Sequence, residues 1–178
     1  MRHHDLLGQH QAYLRQARSD YRLFRALSKG TVPGTPACHT VHHLQMSIEK
    51  LTKAMTIAQG KDLKRTHLFL KQLLYMMKRD DLAEVFGLPG REVYSRWLKG
   101  VISLAWEVER LQPALAEDGP NFEYPWLSRG DTGSPAWIAP ADADDSFLVL
   151  DKIREDPHGP RLLFLIERLL ERFDTLFA

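Results

Sequence analysis

The chain has 178 residues, 24 Lys and Arg against 23 Asp and Glu, and 44% apolar residues, the profile of one globular domain rather than of a disordered or fibrous chain. Its formal net charge of +1 calls for neither nucleic acid nor an anionic membrane, so any basic surface must be local. The lone Cys38 excludes an internal disulfide and a multi-thiolate zinc site, and no run approaches the roughly 18 apolar residues of a membrane helix, so a soluble cytoplasmic protein is expected.

In chain order, Leu14, Ala17, Tyr21 and Phe24 alternate spacings of three and four and predict a helix from about residue 5 to 29. Beside that stripe, Arg15, Arg18, Arg22 and Arg25 fall within an arc of about 80°, a basic ridge. Lys29-Gly30 closes this helix, and Gly34-Thr35-Pro36 opens the next with Thr35 as N-cap and Pro36 as first helical residue. Val41, Leu44, Ile48, Leu51, Met55 and Ala58 carry a second helix to about Gln59, ended by Gly60. A third is predicted over 66–78 through Phe69, Leu70, Leu73, Leu74 and Met77, capped by Thr66. A single turn over 82–86 precedes a fourth long helix marked by Val93, Trp97, Val101, Leu104, Val108 and Leu111, with Gly100 allowing close packing.

From 112 to 143 the periodicity vanishes, five prolines appear, and Tyr124, Trp126 and Trp137 suggest a long loop partly packed down over the open side of the bundle; the other role for such aromatics is base stacking. A short helix over 144–155 and a last helix from Pro160, with Leu162, Ile166, Leu169, Phe173 and Leu176, complete the chain. Leu163, Leu170 and Phe177 widen the last apolar face, so this helix is either central or shared with a second subunit. No strand and no internal repeat is evident. The fold class expected is all-α, a single domain over 1–178 built as an antiparallel bundle of five to six helices.

The second and third helices read Val41-His42-His43-Leu44-Gln45 through Glu49-Lys50 and Lys53, then Gly60, then Arg65-Thr66-His67. In that order and spacing the stretch resembles a HEPN domain, and Tyr13-Leu14-Arg15-Gln16-Ala17-Arg18-Ser19-Asp20 is similar to the family's opening helix. The likeness is strongest over residues 11–80. It implies a helical bundle that commonly dimerises, acts on or near RNA, and is often encoded beside a nucleotidyltransferase-like partner, as in toxin-antitoxin modules. Nucleases of the family resemble one another in an Arg followed by four to six residues and a His. This sequence lacks that motif: only three residues separate Arg154 from His158, and His67 and His158 have Lys61 and Lys152 at the matching offset. Lysine supplies charge without bidentate phosphate binding.

The favoured expectation is therefore a non-catalytic, cofactor-free homodimer that binds RNA, a nucleotide or a protein partner. Its candidate binding residues are Arg15, Arg18, Arg22, Arg25, Lys50, Lys53 and Arg65. The alternatives are a metal-independent endoribonuclease in which His67 or His158 works with Lys61, Lys152 or Arg154, and a purely structural interaction module. His39 and His43 stand one helical turn apart, but no Glu or thiolate set accompanies them, so no metal site is expected. Nucleophile elbows, Walker loops and dinucleotide fingerprints are absent.

Overall fold

The computed structural model describes residues 3–63, 68–79, 81–116, 119–129 and 135–177. Helices α1 (His3–Ser28) and α2 (Ala37–Ala58) form a hairpin. Its antiparallel register shows in the contacts of Tyr13 with Lys53, Ala17 with Ser47 and Asp20 with His43. The predicted stripe of α1 is the buried one: Leu14, Ala17, Tyr21 and Phe24 are all in the core. Gly30 turns the chain at a φ of 68°, a conformation open to glycine without strain. Thr35 does not cap α2. Its hydroxyl donates to Val32 O within the connecting turn (2.8 Å), and Pro36 takes the N-cap position instead.

Helix α2 runs through the middle and packs on α1, α3, α5, α7, α8 and α9. That explains why it buries polar residues as well as Val41, Leu44, Ile48, Leu51 and Met55. The hydroxyls of Thr52 and Thr56 donate to carbonyls one turn back, and Ser47 donates across the hairpin to Ala17 O at 3.0 Å, so these three buried hydroxyls are satisfied.

Helix α3 is shorter than its periodicity predicts, Leu70–Met76, and its cap comes from outside. The buried carboxylate of Glu109 accepts the Phe69 and Leu70 backbone N–H groups at 2.5 and 2.6 Å. The single turn α4 (Leu82–Val85) leads through Gly87 and Gly90 into α5 (Arg91–Arg110). Val101, Leu104 and Val108 of α5 are buried, whereas Val93 is exposed.

The long loop is more ordered than the sequence suggests. A turn of helix, α6 (Pro113–Ala116), is followed by an antiparallel hairpin of β1 (Trp126–Arg129) and β2 (Pro135–Ile138). This corrects the reading without strands: the strands are four residues each and too short to show an alternation. In the Trp126↔Ile138 pair Trp126 plugs the core, and in the next pair Leu127 and Trp137 face outward. Two 3-10 turns lead to α7 (Val149–Glu155), α8 (His158–Glu171) and α9 (Phe173–Phe177). The last helix is thus broken at Arg172. Leu170 and Phe177 are buried inside the bundle, so the wide apolar face marks a central helix.

Candidate functional site

The four arginines of α1 separate into two lines. Arg18 and Arg25 lie about 60° around the helix from Arg15 and Arg22, on the side that meets α8. Arg18 Nη2 donates to Leu170 O (2.7 Å), near the end of α8 where backbone carbonyls lack helical partners. Arg25 Nε lies 3.9 Å from Glu167 Oε1, the carboxylate that also accepts the Tyr21 hydroxyl at 2.9 Å. Burial, reinforced by that carboxylate, holds the Tyr21 phenol above its ordinary range and therefore neutral. Arg15 and Arg22 are exposed and have no hydrogen bond or ion pair among the described residues. Seven residues apart, they stand about 10 Å from one another along the axis.

A second polar cluster fills the seam between α1 and α2. Asp20, buried, accepts from Gln16 Nε2 (3.2 Å) and lies 3.8 Å from both His43 Nδ1 and Lys50 Nζ. His42 Nδ1 lies 3.8 Å from Glu123 Oε1, and its ring meets Phe122 edge-on. Burial lowers the pKa of both imidazoles, with Glu123 opposing the drop at His42 and Asp20 opposing it at His43. Both are neutral near pH 7. Lys53 donates to the buried Glu49 at 2.6 Å. Lys50 and Lys53, candidates for phosphate binding, are therefore turned inward onto carboxylates.

Arg65, Thr66 and His67 lie outside the described residues. The other nuclease candidates, His158, Arg154 and Lys152, are not linked to one another among the described residues. His158 opens α8, where its backbone N–H donates to Asp156 Oδ1 at 2.7 Å and its ring packs against Gly100 of α5. Arg154 lies 3.6 Å from Asp151, and Lys152 donates to Glu107 at 2.7 Å. Among the described residues no hydrogen bond or ion pair links His158 to either. His39 is exposed while His43 faces Asp20, and no three His, Cys, Asp or Glu side chains converge on one point among the described residues. No helix is long and apolar enough to cross a membrane among those residues.

Sequence reasoning missed three features. Glu109 caps a helix forty positions away, which no local pattern signals. Glu123 reaches α2 from the long loop. Leu98 and Ile102 of α5 follow the buried Tyr94 at a spacing of four and turn progressively from the core face to the surface. Of the loop aromatics, Trp126 is buried, while Tyr124 and Trp137 project into solvent at 60% and 73% exposure.

Comparison with protein-family models, with curated proteins and with solved structures gives no match in any of the three.

Proposed function

We propose that this chain is a HEPN-like helical protein that binds RNA without cleaving it, with Arg15 and Arg22 as the principal phosphate contacts. The observation that carries this reading is the division of the α1 ridge. Arg18 and Arg25 are spent on α8, whereas Arg15 and Arg22 stand exposed, with no acidic partner among the described residues. Guanidinium groups in that state neutralise phosphates at little desolvation cost. The dispersal of His158, Arg154 and Lys152 onto separate partners supports binding over hydrolysis.

The order of residues over 11–80 supports the HEPN likeness, and with it a homodimer and a nucleotidyltransferase-like partner as further proposals. The exposed Leu127 and Trp137 of the hairpin favour a protein contact there, in keeping with such a partner.

The test is incubation of the purified protein with labelled mixed RNA in EDTA, scoring retention and cleavage together. Retention without cleavage, lost in Arg15→Glu/Arg22→Glu, is expected. Cleavage abolished by His158→Ala or His67→Ala would replace this reading with the ribonuclease. Neither retention nor cleavage would leave the structural module.

A further inference from the structure

Helices α3 and α5 enclose a groove of about 540 Å³, within the size range of small-molecule sites. Its floor is hydrocarbon: Leu74 and Met77 from the α3 side, Leu98 and Ile102 from α5. The Tyr94 hydroxyl, which also borders it, already donates to Met77 O at 2.9 Å. Its rim is cationic. Lys78 and Lys99 are both exposed and have no carboxylate partner among the described residues. Arg79 adds charge, although its guanidinium is anchored on Asp81 and Leu176 O.

A hydrocarbon trough with ammonium groups at its mouth is complementary to one kind of molecule, an apolar chain that ends in an anion. Tyr94 to Ile102 spans about 12 Å of helix. Along that length an extended alkyl chain would lie on Leu74, Leu98 and Ile102 with its anionic end at Lys78 and Lys99.

We propose that this groove is a binding site for a free single-chain fatty carboxylate, with the alkyl chain on Leu74, Leu98 and Ile102 and the carboxylate between Lys78 and Lys99. The site is separate from Arg15 and Arg22 and stands whether or not the chain binds RNA.

Calorimetric titration of the full chain with dodecanoate, below its micellar concentration, tests the proposal. One saturable site is expected, with affinity at least tenfold above that for dodecyltrimethylammonium, which has the same chain and the opposite charge. Lys78→Glu/Lys99→Glu is expected to weaken dodecanoate at least tenfold, and Ser95→Trp, which fills the groove from an exposed position, to abolish binding. Arg15→Glu/Arg22→Glu is expected to leave it unchanged. Far-UV circular dichroism confirms that each variant is folded. Absence of saturation, equal affinity for the two head groups, or affinity unchanged in both groove variants would overturn the proposal. Binding to phosphatidylglycerol vesicles without binding of free dodecanoate would overturn it in favour of a membrane surface.

Discussion

The imidazole of His158 occupies the space that a side chain at Gly100 would need: a Cβ there would collide with His158 Cε1. Glycine at position 100 is thus explained by the α5–α8 crossing rather than by a turn or a ligand. Gly100→Ala forces the ring, the far end of a half-buried side chain, out of its seat and is expected to cost about 1 kcal/mol, the low end of overpacking. In a His158→Ala background the clash is gone, and the same change is expected to stabilise by about 0.5–1 kcal/mol through helix propensity. Urea denaturation of the four proteins of this cycle checks the change of sign. A cost that persists without His158 would contradict the packing account.

Glu109→Ala leaves the Phe69 and Leu70 N–H groups buried without an acceptor. The expected loss is on the order of 3 kcal/mol, from two bonds to a charged acceptor. Hydrogen exchange is expected to show that loss concentrated at the start of α3.

Arg18 and Arg22 are one turn apart and predicted to behave differently. Arg18→Ala removes the bond to Leu170 O and is expected to cost about 1–2 kcal/mol. Arg22→Ala, exposed and without a partner among the described residues, is expected to stay within about 0.5 kcal/mol of the parent. Equal costs for the two would refute the division of the ridge.

Much of this was legible in the sequence. The buried stripe of α1 and the apolar positions of α2 followed from spacing alone, because both helices are long and each keeps one face against the bundle. The ridge was legible as an arc but not as two lines, since the sequence does not say that Leu170 O and Glu167 lie beside Arg18 and Arg25. The periodicity places the start of α3 too early for the same reason: the carboxylate that caps it, Glu109, is distant in the chain. The hairpin leaves no signal because four residues from Trp126 give too few alternations to register, and Thr35 reads as a helix cap although the turn at Val32 claims its hydroxyl first.

Acid stability carries the signature of His42 and His43. Burial sets both folded pKa values below 6.5, so as pH falls the unfolded chain takes up protons first. Stability is therefore full above about pH 6.5 and declines as pH drops below it, until the folded imidazoles also protonate. His42→Gln/His43→Gln is expected to flatten that decline in urea midpoints between pH 7 and pH 5. Asp20→Asn removes the carboxylate that opposes the drop at His43, so the His43 ring resonances are expected to titrate at still lower pH by NMR. An upward movement would refute the assignment of Asp20 as its partner.

RNA binding through Arg15 and Arg22 is tested most directly by the salt dependence of retention in EDTA. Each phosphate contact contributes about 0.7 to the slope of log affinity against log salt on single strands. Arg15→Ala/Arg22→Ala is therefore predicted to make the slope shallower by about 1.4 while the RNA stays intact. An unchanged slope, or RNA cut by the parent protein and spared by His158→Ala, would contradict the account.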